Sequence, residues 1–361
     1  MKAEANRSRR AFLVLGSFAL AEAAVRAEPS AAAAAIAPAL GRAALRVRGA
    51  ERAMLLAAAT ADKRLVAVGE RGLVLVSDDQ AVSWRQASVP VSVTLTAVDF
   101  ADGQHGVAAG HCGAILLSAD AGDTWRVVLD GARAGTLALE GARAAPDVLA
   151  LRNAERLAAE GADKPFLDVL MSGTSHILAL GAYGLAFAST DRGRTWASWI
   201  ERLDNPKALH WYAVRRRGDT IVAAGEQGLL RRSVDGGRSF TRIEVPYKGS
   251  FFTLELPGEQ DIVLAGLRGN AWRSRDAGHS WTKISTPSSA SITASLLAPD
   301  GTLLFGNQQG MVMRLAGDRL EPIQASALPP VNGLLLASGR RVTALTAMGA
   351  KSLVLPAIRK G

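Results

Sequence analysis

A single cysteine, Cys112, excludes an intrachain disulfide, so this chain folds without covalent staples. Its neighbour His111 makes one Cys beside one His, far short of a metal-ligand set, and no metal or cofactor is expected. Tyrosine is equally scarce, with only Tyr183, Tyr212 and Tyr247. The GxSxG, HExxH, P-loop and GxGxxG fingerprints are all missing, which removes the common hydrolase, metalloprotease and nucleotide-binding readings. Beyond the N-terminus there is no apolar run near the length of about 18 residues that a spanning helix needs.

What is present is repetition. One phrase recurs five times: a Ser, a spaced Asp, a small residue, then Ser or Thr before an aromatic. Its acids are Asp79, Asp120, Asp191, Asp235 and Asp276, and its aromatics are Trp84, Trp125, Trp196, Phe240 and Trp281. A Gly-x-x-Gly phrase travels with it, at Gly69–Gly72, Gly110–Gly113, Gly181–Gly184, Gly225–Gly228 and Gly266–Gly269. Gly306–Gly310 is a stretched copy and Gly349 an eroded one. Steps near 40 residues, with one long step carrying an insertion, give seven units, with six or eight as the neighbouring options.

Each unit reads as four short strands, as in TAVDF, HGVAAG, AILLS and TWRVVL of the second. The expected fold is therefore all-β: a seven-bladed β-propeller of four-stranded antiparallel blades. The Gly-x-x-Gly phrase suits the turn between strands two and three, where positive φ costs glycine nothing. The Asp phrase suits the hairpin between strands three and four, its carboxylate accepting backbone N–H groups. Its Trp then packs between blades. The last unit supplies three strands, and AALRV at 43–47 is expected to complete it, closing both ends in a shared blade.

Residues 1–27 read as a signal peptide. Arg7, Arg9 and Arg10 precede the apolar stretch Ala11–Ala21, and Val25-Arg26-Ala27 offers a cleavage site. Ser8-Arg9-Arg10-Ala11-Phe12-Leu13 is similar to a twin-arginine signal, with Sec export as the alternative. Residues 28–42 form an Ala-rich lead-in and 43–361 the propeller, so the expected location is the periplasm. Residues 1–27 hold five basic and two acidic residues, so losing them lowers the net charge from +9 to +6.

Much of the basic excess gathers in units four and five, including Arg231, Arg232, Arg273 and Arg275. These form a candidate patch for an acidic surface, or else a solvated outer face. Nucleic acid is not expected, since no basic-aromatic recognition module is present. Residues 131–165 break the repeat. The run VLALRNAERLAAE, ended by Gly161, predicts a short helix there.

In a four-stranded antiparallel blade, the turn between strands two and three lies on the side of the link to the next blade. That side collects Arg71, His111, Tyr183, Glu226, Gln227, Arg268, Gln308 and the Tyr247-Lys248-Gly249 link, with the insertion beside them. Turn tips are free of packing duties, so partner choice is expected there.

The Asp phrases resemble bacterial neuraminidase repeats. Residues from about 45 to 360 resemble the photosystem II stability/assembly factor-like propellers, in the subgroup of non-photosynthetic bacteria. HWYAV at 210–214, VPYKGSFFTL at 245–254 and GLRGNAWRS at 266–274 carry that resemblance. It implies an exported, non-catalytic scaffold, a monomer peripheral to the membrane, that helps a membrane protein or transporter complex assemble. In photosynthetic members an arginine-rich surface is implicated in binding, and only Arg268, Arg231, Arg232, Arg273 and Arg275 stand as analogues. Two other readings stay open: a sialidase-like glycoside hydrolase, and a propeller holding a small ligand in its central channel. Against the hydrolase, the arginine cluster, Tyr–Glu pair and acid/base Asp of a sialidase are not recognisable.

Overall fold

Seven antiparallel sheets follow one another around a closed ring in the computed structural model, which describes residues 39–144, 147–324 and 326–355. Six are four-stranded with strands in chain order, and the seventh has three. The expected seven-bladed propeller is the fold. Blade two shows why the sequence folds this way. Leu95–Phe100, Gly106–Gly110, Ile115–Ser118 and Arg126–Leu129 pair in sequence around short turns. The middle two strands are buried along their whole length, because neighbouring blades cover both faces.

The core is a ring of seams between blades. Val66 and Val76 of blade one meet Leu116 and Trp125 of blade two. Leu117 of blade two meets Phe187 and Trp196 of blade three. Trp84 lies in the seam with Leu345 of blade seven, and Trp281 against the seam between blades four and five. Each of these Trp residues thus contacts the preceding blade. Trp125 donates its indole N–H to Gly122 O and Trp281 to Glu244 O, both at 2.9 Å.

The Asp boxes are hairpins between strands three and four. Asp120 accepts the Thr124 N–H at 2.9 Å, the Thr124 hydroxyl on its other oxygen and the Ser118 hydroxyl at 2.8 Å. The same set recurs around Asp79, Asp191, Asp235 and Asp276. The Ser83 hydroxyl and amide hold the Asp79 carboxyl at about 2, and Thr195 does the same for Asp191. Asp120→Ala removes three accepted bonds, so the expected loss is about 1–2 kcal/mol, seen as a melting temperature lower by a few degrees. A variant that kept its melting temperature but lost partner binding would assign the box a functional role instead.

Three expectations change. The first concerns closure. Residues 43–47 form no strand and do not reach blade seven; they run along the outer strand of blade one. Ala44 N–H donates to Val89 O at 3.0 Å, Val47 N–H to Gln86 Oε1 at 3.1 Å and Gln86 Nε2 to Leu45 O at 2.9 Å. No shared blade forms among the described residues. The ring closes through inner-strand packing, with Asn332 Nδ2 donating to Leu55 O at 2.9 Å.

The second concerns the insertion, which holds two helices, α1 (Gly131–Arg143) and α2 (Val148–Glu160), each capped by an aspartate, Asp130 and Asp147. The three glycines of α1 mask it in the sequence. Tertiary packing makes it helical, since Gly135 lets the Ala158 backbone approach to where a side chain would stand. Gly161 ends α2 with φ 71°, as expected.

The third concerns the Gly-x-x-Gly turns. Only their second glycine has positive φ, 75° at Gly72 and 63° at Gly113. The first is extended, and space demands it: a Cβ on Gly110 would stand 2.2 Å from Thr94 O. The signal segment 1–27 and residues 28–38 of the lead-in lie outside the described residues.

Candidate binding face

Each Gly-x-x-Gly turn is one turn of 3-10 helix whose middle residue is left-handed: Arg71, Cys112, Tyr183, Gln227 and Arg268, with φ between 54° and 59°. These turns sit against the links between blades. His111 N–H donates to Thr94 O at 2.9 Å, Gly228 N–H to Gly249 O at 2.9 Å and Leu267 N–H to Ser250 O at 2.9 Å. The Asp boxes sit at the other end, against the turns between strands one and two, through Ala121 N–H to Gln104 O and Ala277 N–H to Gln260 O.

Arg71, His111, Tyr183, Gln227, Arg268 and Gln308 are exposed tips on this one face. Cys112 is buried beneath His111, with its thiol pKa raised by burial and by Asp163. Two residues expected as tips are structural. The Glu226 carboxylate accepts the His210 N–H at 2.8 Å and lies 3.1 Å from His210 Nδ1, tying the turn to the link. Tyr247 is half-buried on Phe251 and donates its hydroxyl to Leu267 O at 3.0 Å. Lys248 is exposed but paired with Glu244 at 3.3 Å.

Sequence reasoning missed what surrounds Tyr183. The His210 ring lies 4.8 Å from the Tyr183 ring, and Lys164 Nζ stands 5.2 Å from its centroid. The insertion supplies Lys164, held by Asp163 at 2.8 Å and by Glu160. A cleft of about 290 Å³ between α2 and blade three opens here, lined by Leu157, Lys164, Tyr183 and Asn205. Only the coincidence of the insertion with the Tyr183 turn, near in space but not in pattern, would have revealed it.

The expected basic patch is not a common surface. Arg231 is 4% exposed and donates to Leu203 O, Leu230 O and Asp204, so its charge is spent on closing the preceding link. Arg273 is ion-paired with Asp261 at 2.6 Å and Arg275 with Asp318 at 2.8 Å. Arg232 is partly buried with a buried Nε. Alternation along a strand distinguishes its two faces but not which is covered by the next blade.

The central channel holds charges that no motif announces. It encloses about 460 Å³ between the inner strands. Asp99 accepts Met171 N–H at 2.7 Å, and Asp168 accepts Val214 N–H and Arg215 Nη1, both at 2.8 Å. Glu255 accepts the Ser295 hydroxyl at 2.6 Å and faces Arg215 at 4.0 Å. Burial pushes the Asp99 carboxyl up to about 6, against the amides of Met171 and Phe100. Burial also raises Glu255, against Arg215. Burial opposes the Arg215 charge, but Asp168 and Glu255 outweigh it and its pKa is raised. Each acid spends its oxygens on the neighbouring inner strand, so the cluster stitches blades together. Tyr212 lines the same channel edge-to-face with Phe252 at 5.0 Å.

Residues 153–314 match the family described as photosynthesis system II assembly factor YCF48. Among solved structures, YCF48 bound to a D1 peptide superposes with a TM-score of 0.63 at 12% identity, covering 88% of this chain and 97% of that one. YCF48 from Cyanidioschyzon merolae gives 0.61 at 13%, covering 83% and 95%. The WD40 propeller domain of Doa1 gives 0.61 at 9%, covering 86% and 94%, so overall superposition reports the fold and not the role. No curated protein matches the chain. The three stretches HWYAV, VPYKGSFFTL and GLRGNAWRS all fall inside the matched segment, and the chain is a propeller similar to the photosystem II assembly factor family.

Proposed function

We propose that this chain is a non-catalytic, exported scaffold that binds a segment of a membrane protein complex through its Gly-x-x-Gly face. The observation that carries the reading is the left-handed backbone at the exposed tips Arg71, Tyr183, Gln227 and Arg268. A left-handed residue with a side chain costs about 1 kcal/mol relative to an unstrained one, and glycine there would cost nothing. Side chains kept at that cost on free turn tips are consistent with recognition. YCF48 solved with a D1 peptide supports a membrane-protein segment as the partner class. The signal-like start supports export. The engagement of the channel acids in inter-blade bonds favours a scaffold over the hydrolase reading.

The double variant Arg71→Glu/Arg268→Glu tests the face. Recovery of the tagged protein's membrane partner from solubilised membranes should fall at least about tenfold at low salt. The difference should shrink at high salt, because exposed charges are screened within about 10 Å at 0.1 M. The melting temperature should stay unchanged, since both side chains are exposed. Undiminished recovery places the site elsewhere, first at the cleft beside Tyr183. Recovery of the chain from the cytoplasmic fraction would overturn the export half of the reading.

A further inference from the structure

Blade seven stands apart at its rim. Outer strands elsewhere are short: Arg85–Gln86, Ala197–Ser198 and Thr241–Arg242 have two residues each, and the longest, Arg126–Leu129 and Arg319–Pro322, have four. Short outer strands are how propellers keep exposed sheet edges harmless. Blade seven ends instead on Gly349–Val354, six residues long, and no described strand pairs with its outer side.

The register says which groups face outward. Leu355 N–H donates to Arg340 O at 2.7 Å, so positions 340 and 355 form a hydrogen-bonded pair. Antiparallel pairs alternate, so Lys351 and Leu353 spend their backbone groups on the inner neighbour. Ala350, Ser352 and Val354 turn theirs outward. Beside this edge lies a cavity of about 540 Å³, lined by Pro299, Ile323, Leu336 and Leu355 with Asp300, Arg340 and Arg314, the last facing Glu321 at 4.0 Å. Charge adds a direction. The described residues 331–355 contain Arg340, Arg341 and Lys351 and no Asp or Glu.

We propose that the outer edge of blade seven is a docking site for an extended acidic segment of a partner protein, which adds the missing fourth strand. Backbone pairing supplies affinity in this mode, and side chains beside the strand supply selectivity. A second copy of this chain fits poorly, because it would set Lys351 and the same basic rim against themselves. The described N-terminal part of the chain itself touches only the start of this strand, where Ala50 and Ala53 share a cluster with Ala350 and a Cβ on Gly349 would stand 2.0 Å from Glu51 O, while Ser352 and Val354 stay exposed.

The probe is a capped peptide of about seven residues alternating valine and glutamate, offered to the full chain, with a valine–lysine peptide as control. Hydrogen exchange should slow at Ala350, Ser352 and Val354 with the glutamate peptide only. Ser352→Pro deletes an outward N–H without touching the inner ladder, and should weaken binding at least tenfold at an unchanged melting temperature. Should that variant misfold, Arg341→Glu/Lys351→Glu should reverse the preference between the two peptides. Arg71→Glu/Arg268→Glu should leave probe binding intact, which separates this edge from the Gly-x-x-Gly face. Absent protection, or equal binding by both peptides, overturns the proposal. A dimer abolished by Ser352→Pro would assign the edge to a second copy. Protection without peptide that is lost on deleting residues 1–38 would assign it to the chain's own N-terminal segment.

Discussion

Arg215→Met should lose about 2–3 kcal/mol of stability near pH 8 and recover much of it near pH 5. Removing one partner of a buried ion pair costs about 3–5 kcal/mol, and the smaller figure allows for the third of the Arg215 side chain that faces the channel lumen. Methionine keeps the unbranched stem and removes the charge. Asp99 and Glu255 then lose the field that holds their pKa values down, and both rise further above their unfolded values. An acid whose folded pKa exceeds its unfolded one contributes stability below the unfolded pKa, lost as pH rises through the folded one. Asp99 already sits at about 6 against an ordinary 3.8, so the window opens near pH 4 and extends above pH 6. Denaturant midpoints at the two pH values measure the effect. An equal loss at both would mean that Arg215 acts through packing alone.

Gly110→Ala should be among the most damaging single methyls in the molecule, with a loss beyond about 4 kcal/mol or failure to accumulate as soluble protein. Its Cβ would stand 2.2 Å from Thr94 O and 2.8 Å from Leu95 Cα, and backbone cannot move aside as a flexible side chain does. Leu95 begins the innermost strand and is fully buried, so displacing it opens the seam to blade one. Gly173→Ala is the matched control. Gly173 has φ 52° and nothing within 4 Å of an added Cβ, so only the left-handed penalty of about 1 kcal/mol remains. Thermal melts of the two variants separate steric exclusion from backbone strain. Similar losses would show that the Thr94–Leu95 backbone gives way and that steric exclusion does not explain the first glycine of the turn.

The candidate face was legible because its residues follow from turn position. Arg71, Tyr183, Gln227 and Arg268 occupy one slot of a repeated turn and are exposed there, whereas Cys112 in the same slot is buried. Glu226 and Tyr247 share that neighbourhood yet serve the fold, because their side chains reach back to His210 and Leu267. Slot position gives where a side chain starts, not where its polar end finds a partner.

Blade number, strand order within a blade, Asp-box chemistry and the seam role of the tryptophans were determined by sequence alone. All are local or periodic: an Asp four residues before a Ser or Thr closes its own hairpin, and a period near 40 repeats whatever one blade does. Tertiary structure decided the rest. Asp99, Asp168, Arg215 and Glu255 come from four different blades and meet because inner strands converge on an axis that no spacing encodes. Arg231 lost its place on the surface because the preceding link folds over it. Residues 43–47 were drawn to blade one because the Gln86 amide and the Val89 carbonyl take up their backbone groups. Burial and pairing depend on what the neighbouring blade presents, and that is a property of lateral packing between distant segments.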